Sequence, residues 1–156
     1  MNTCHNHQHC IDDAMINAHR ICTDKKLRLT AIREQVLRLV WQSHQPLGAY
    51  ELLDMLSRES DKRIAPPTVY RALEFLLEVG LIHRINSLNA YIGCPEPSTV
   101  HPSYFFICTS CNTAQEYSSD AMHQQVLQAG DSMGFSIQQQ WLEVLGVCQD
   151  CQVQKD

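Results

Sequence analysis

Two pairs of cysteines with one spacing limit what this chain can fold into more than any other feature. "FFICTSCNTAQEY" places Cys108 and Cys111 on a tight turn between two short apolar runs, and "GVCQDC" repeats the C-x2-C spacing at Cys148 and Cys151 after 36 intervening residues. Four soft ligands from turns that end strands suit a closed tetrahedral zinc site. A closed site leaves no position for substrate, so this metal is structural and its binding energy acts as folding energy. A thioredoxin-like centre would need a single C-x-x-C opening a helix, and each pair here leaves or enters a strand.

The first ten residues, MNTCHNHQHC, are polar, and no stretch approaches the roughly 18 apolar residues of a membrane span. The expected setting is the reducing cytoplasm, where the eight cysteines serve as thiols and metal ligands rather than as disulfides.

Net charge is −5, unevenly divided. Residues 1–84 hold 11 Lys+Arg against 10 Asp+Glu, and residues 85–156 hold 1 against 7. Within the first part, Arg20, Lys25, Lys26, Arg28, Arg33 and Arg38 face only Asp24 and Glu34, a local basic patch that reads either as a solvated helical face or as a nucleic-acid footprint.

Apolar spacing predicts three helices there. Ile32, Val36, Leu39 and Val40 follow Thr30 as N-cap, and Ala49, Leu52, Leu53 and Leu56 follow Gly48. In "PPTVYRALEFLLEVG" two prolines open the helix, Val69, Leu73, Leu76 and Leu77 form its buried stripe, and Gly80 caps its end. A further helix over 12–22 rests on Ile11, Met15, Ala18 and Cys22. "LIHRIN" and "NAYIGC" read as a hairpin, and helices followed by a hairpin make a winged helix-turn-helix. The start of the third helix, with Thr68, Tyr70 and Arg71 off its core stripe, is where a recognition helix meets the major groove.

"CPEPSTVHPS" has the composition of a linker. The expected organisation is a Cys/His-rich flexible tail over 1–10, a winged-helix DNA-binding domain over 11–94, a hinge over 95–102 and a dimerisation domain over 103–156. The last has strands over 104–107, 114–117 and 135–147 and a helix over 119–129, so the class is α+β. Its small core calls for help from a metal and a partner chain. His83, Cys94, His101 and Glu116 lie around the hinge. Their spacing alone does not identify a site, and each histidine also reads as a surface or hinge side chain.

The runs "PPTVYRALEFLLEVGLIHRINSLNAYIGC", "FFICTSCNTAQE" and "GVCQDC" together resemble the ferric uptake regulator (Fur) family of bacterial metal-dependent repressors, and within it the zinc-sensing branch. The resemblance covers roughly residues 13–152. It implies a homodimer with an N-terminal winged helix and a C-terminal α/β dimerisation domain. It also implies two Zn2+ per chain, a structural ion on Cys108, Cys111, Cys148 and Cys151 and a regulatory ion on His83, Cys94, His101 and Glu116. Thr68, Tyr70 and Arg71 would read bases in double-stranded operator DNA, Tyr50 in "GAYELL" would contact DNA too, and Lys25, Lys26, Arg28 and Arg33 would hold the backbone. One thiolate, two imidazoles and one carboxylate favour Zn2+ over Fe2+ or Mn2+.

The expected function is a zinc-responsive repressor of zinc uptake and homeostasis genes, with no membrane partner and no small-molecule substrate. The alternatives are a Fur-type regulator of another metal or of peroxide, and a zinc buffer without specific DNA binding. The motifs of zincins, serine hydrolases, P-loop NTPases and zinc deaminases are missing, so the chain does not read as an enzyme. "CHNHQHC" departs from the family. Cys4, His5, His7, His9 and Cys10 form either a disordered tail or a weak, pH-dependent metal site.

Overall fold

The computed structural model describes residues 7–43, 45–59, 63–98 and 101–153. The chain forms two compact units, Met1–Thr99 and Val100–Asp156, each with a three-stranded sheet.

Helix α1 (His7–Asp24) buries the expected Ile11, Met15, Ala18 and Cys22 but begins earlier than that stripe predicts. Gln8 Nε2 donates to Asp12 Oδ1 at 3.0 Å and His9 faces Asp13 at 3.6 Å, pairs one turn apart that favour a helical start. Residues 7–10 are therefore helix rather than tail. Cys4, His5 and His44 lie outside the described residues, as does the side chain of His7.

Helix α2 (Ala31–Gln42) buries Val36, Leu37, Leu39 and Val40. Thr30 precedes it with extended backbone, but contrary to expectation its hydroxyl makes no capping bond. A two-residue strand β1 (Leu47–Gly48), absent from the sequence reading, leads into α3 (Ala49–Glu59), and the Gly48 amide donates to Glu51 Oε2 at 2.7 Å. That carboxylate satisfies an amide the helix start would otherwise leave unpaired.

Helix α4 (Pro66–Val79) buries Val69, Ala72, Leu73, Phe75, Leu76 and Val79. It ends where Gly80 turns left-handed at φ 84°, with the Gly80 amide donating to Leu77 O and the Leu81 amide to Leu76 O. Strands β2 (Ile82–Ile85) and β3 (Ala90–Gly93) form the expected hairpin, and β1 adds to the free edge of β3, giving the order β1-β3-β2. One buried apolar cluster runs from Ala14 to Tyr91 through all four helices and the sheet. This is a winged helix.

In the second unit β4 (Tyr104–Cys108) is central, antiparallel to β5 (Ala114–Tyr117) and parallel to β6 (Leu142–Gly146). Helix α5 (Asp120–Ser132) is capped by Ser119, whose Oγ accepts from the Met122 amide, and the short α6 (Gln149–Val153) follows β6.

The expected strand over 135–147 is too long: only 142–146 pairs. After α5 the chain turns at Gly134, φ 76°, and the Phe135 amide returns to Gly130 O at 2.9 Å. Ile137 packs so tightly on Gly130 that a Cβ there would lie 2.6 Å from Ile137 Cδ1. Gln140 then turns its carbonyl to the Tyr104 hydroxyl and to His123. Side-chain docking takes the place of a ladder over this stretch.

Few residues of this unit are buried, among them Tyr104, Phe105, Ile107 and Ala114, while Phe106, Tyr117, Val126, Phe135, Trp141, Val144 and Leu145 are exposed. Among the described residues no helix is long and apolar enough to cross a membrane.

Candidate metal centres and nucleic-acid interface

Cys108 ends β4, Cys111 lies three residues on in a turn closed by the left-handed Asn112, Cys148 follows β6, and Cys151 sits in α6. The parallel register sets Cys108 opposite Gly146, so both C-x2-C turns leave the same end of the sheet. Their four Sγ atoms lie within 4.8 Å of one another, and Cys111 and Cys148 are 3.8 Å apart. A Zn–S bond of about 2.3 Å in a tetrahedron requires sulfurs about 3.8 Å apart, so this donor set fits zinc.

The protein already stabilises part of the negative charge. The Cys148 amide, donating at 3.3 Å, is the main cause that brings Cys108 down to about 6, and the Thr113 hydroxyl lowers Cys111. Crowding by Cys148, then Cys111, pushes Cys151 up to about 12. The fourth thiolate thus needs a cation beside it.

The other expected donors fall in two pairs, one in each unit. In the first, His83 on β2 is opposite Ile92, and the Cys94 amide extends the ladder to Leu81 O at 3.0 Å. With side chains alternating along a strand, His83 and the buried Cys94 are diagonal neighbours on one face of the hairpin. In the second, Glu116 on β5 is opposite Phe105 and accepts from Ser103 Oγ at 2.6 Å, while His101 Nε2 lies 2.9 Å from Glu116 Oε1. Each pair combines an imidazole with a donor that carries or can acquire negative charge.

On α4, Thr68, Tyr70 and Arg71 are all exposed, with Val69 and Ala72 turned into the core. Tyr50, at the start of α3, is 73% exposed. A cavity of about 200 Å³ opens where the N-terminal ends of α2 and α4 meet, lined by Thr30, Ile32, Arg33, Thr68, Arg71 and Ala72. Neither helix start carries a side-chain cap. Arg33 is held rigidly, its guanidinium 3.6 Å from the centre of the Phe75 ring and donating to Arg28 O at 2.6 Å. Two guanidinium groups and two uncapped helix starts make this the place on the unit best suited to a phosphate.

Thr30 was visible in the sequence only as a cap. Its Oγ1 is inaccessible and makes no hydrogen bond within the described residues, although it lines this cavity.

The basic patch is not one surface. Lys26, with φ 55°, and Arg28 are exposed on the connection between α1 and α2. Lys25 instead donates its Nζ to Val79 O at 3.3 Å, at the C-terminal end of α4 and away from the reading end. Near the start of the chain, His9 faces Asp13, and Cys10 is disulfide-bonded, contrary to the expectation of free thiols throughout. A sulfur held in a disulfide offers no thiolate to a metal.

Comparison with known proteins agrees with these features. Residues 24–145 match the family model described as the ferric uptake regulator family. The chain is 37% identical over 142 residues to the zinc uptake regulation protein of Escherichia coli (strain K12), covering 89% of this chain and 81% of that one. Among solved structures, a zinc uptake regulator complexed with zinc and DNA superposes with a TM-score of 0.88 at 34% identity, covering 93% of this chain and 97% of that one. Holo XcZur gives 0.81 at 42% identity, with coverages of 89% and 96%. On its winged helix, its paired C-x2-C turns and these similarities, the chain belongs to the ferric uptake regulator family.

Proposed function

We infer that this protein is a zinc-responsive transcriptional repressor that binds operator DNA as a homodimer. The observation that carries the reading is the presence, beside an exposed recognition helix, of two donor sets of different chemistry. Cys108, Cys111, Cys148 and Cys151 form a closed thiolate set suited to a permanent structural ion. His83 and Cys94 of the winged helix and His101 and Glu116 of the second unit form the mixed set suited to an exchangeable, sensing zinc.

Zinc bound by these four residues would tie the hairpin to the second unit. Everything else is the work of the chain. The hairpin holds His83 and Cys94 on one face, and the Ser103 hydroxyl steadies Glu116. With the bridge made, the ensemble narrows to the arrangement in which two winged helices of a dimer meet successive major-groove faces. By linkage, DNA tightens zinc binding by the same factor.

At the DNA, Arg71 reads guanine through O6 and N7, and Tyr70 and Tyr50 contact base methyls or phosphates. Arg33 and Thr68 hold a backbone phosphate that fixes the register, and Lys26 and Arg28 add longer-range attraction. The second copy covers the apolar surface around Phe106, Tyr117, Val144 and Leu145.

The test is DNA binding across buffered free zinc by wild type and Cys94→Ser, using a duplex selected from a random-sequence pool at saturating zinc. Zinc-switched, sequence-specific binding by the wild type alone, with both proteins dimeric, is the expected result. Zinc uptake with no sequence preference would identify a zinc buffer instead, and switching by Cys94→Ser would move the sensor elsewhere.

A further inference from the structure

On α4, Thr68, Arg71 and Phe75 follow one another at intervals of one helical turn, so the three share one strip of the helix. Thr68 and Arg71 line the cavity where α2 and α4 begin, and the strip ends at the buried Phe75. From α2, Arg33 lays its guanidinium over the Phe75 ring, with Cζ 3.6 Å from the ring centre, and its Nη1 donates to Arg28 O at 2.6 Å. The stack uses the flat face of the guanidinium and the carbonyl uses one N–H group, so neither occupies the remaining edge donors.

Neither anchor carries negative charge. The adjacent acid, Glu34, faces His19 at 3.4 Å and Arg38 at 3.5 Å, and among the described residues no carboxylate pairs with Arg33. An acid partner would compete with phosphate for the same cation, whereas an aromatic face and a carbonyl hold it with its charge intact. Arg71 lines the same cavity, and like charges facing one small space repel. Without the ring, Arg33 would swing toward water.

We propose that Phe75 is a positioning residue for DNA binding, its ring holding Arg33 in the phosphate-contacting pose before DNA arrives. The inference rests on the reading of Arg33 as a backbone-phosphate contact. A side chain that occupies its competent pose only part of the time binds more weakly by that fraction. A half-exposed cation–π contact changes such a population by about two- to fivefold, and the bond to Arg28 O retains part of the pose. The expected loss is about threefold per chain, and so about tenfold for a dimer that uses both.

The experiment is DNA binding by the zinc-saturated full-length dimer on the selected duplex across salt concentration, for wild type, Phe75→Leu, Arg33→Gln and the double variant. Phe75→Leu keeps an apolar core side chain and removes the ring face. It is expected to weaken binding about tenfold alone and less than about twofold in the Arg33→Gln background, where no cation is left to place. The salt slope should fall in Arg33→Gln, which loses a phosphate contact, and stay near wild type in Phe75→Leu, which keeps it. Should Phe75→Leu fail to fold, site-specific replacement of Phe75 by pentafluorophenylalanine keeps the shape of the ring and reverses the charge of its face. That change is expected to weaken binding at least as much.

Wild-type affinity in both ring variants, or an equal loss from Phe75→Leu with and without Arg33, would overturn the proposal, the latter by reducing Phe75 to a packing residue. Arg33→Gln separates this from the parent reading. If Arg33→Gln binds DNA as wild type does, Arg33 holds no phosphate; if it binds weakly while the ring variants bind normally, only the positioning by Phe75 fails.

Discussion

The indole of Trp41 occupies the space a side chain at Gly93 would need: a Cβ there would lie 2.3 Å from Trp41 Cε2. The end of α2 is thereby pressed onto the backbone immediately before Cys94. Gly93→Ala must displace a large ring, and an overpacked site costs about 1–3 kcal/mol. Urea unfolding should show that loss, and a zinc titration should show weaker uptake than wild type because the strand carrying Cys94 shifts. Unaltered stability would mean that the ring swings aside freely.

Arg71 and Arg33 should separate reading from holding. Arg71→Ala is expected to cost about 1–3 kcal/mol on a selected duplex and much less on random DNA, so specificity falls. Arg33→Gln should weaken both by a similar factor, because a phosphate carries no sequence. Competition assays with the two DNAs at saturating zinc check this. Equal losses for Arg71→Ala on both would remove its base-reading role.

Lys25 offers a decision between two roles. Its Nζ donates to Val79 O, the last carbonyl of α4, where a cation is favoured by the helix dipole. Lys25→Met should lower unfolding stability by about 0.3–1 kcal/mol and leave zinc-saturated DNA affinity nearly unchanged. A fall in affinity with a smaller salt dependence would return Lys25 to the DNA backbone.

Much of this was legible in the sequence, for reasons that differ by element. The stripe Val69, Leu73 and Leu76 and the Pro-Pro and Gly80 signals marked α4 almost to the residue, because burial, φ and capping all agree there. The four-cysteine cluster was legible because a tetrahedral ion needs a fixed ligand type and short loops. The length of β6 was not: Phe135 and Ile137 alternate like a strand, but Gly130 leaves room for Ile137 to dock on α5 instead. Nor was the hydrogen bond that Arg20 Nη2 donates to Ser98 Oγ at 2.7 Å, since nothing local signals a contact across 78 positions.

Removal of the metal proposed for the four-cysteine set should act on the two units unequally. Stripping zinc from Cys108, Cys111, Cys148 and Cys151 with a strong chelator is expected to shift the dimer toward monomer in sedimentation, while the helical signal of α1 to α4 persists. Cys148→Ser should do the same without chelator. A dimer that survives complete loss of zinc would show that the sheet face alone holds it.

The opening segment is best tested by a cut that respects α1. Deleting residues 1–6 should leave the zinc-switched DNA isotherm within about twofold of wild type, given that His7–Cys10 are helical. A larger shift would assign the segment a part in sensing.

The buried cluster that runs from Ala14 to Tyr91 lies wholly in the part of the chain made first. A ribosome therefore releases a folded reader while Cys148 and Cys151 are still unmade. On the function proposed above, such a nascent reader would present one recognition helix and grip only half of a two-fold site. Ion capture by the final thiols and the joining of two chains would follow, so the order of synthesis would act as an inspection step on metal loading.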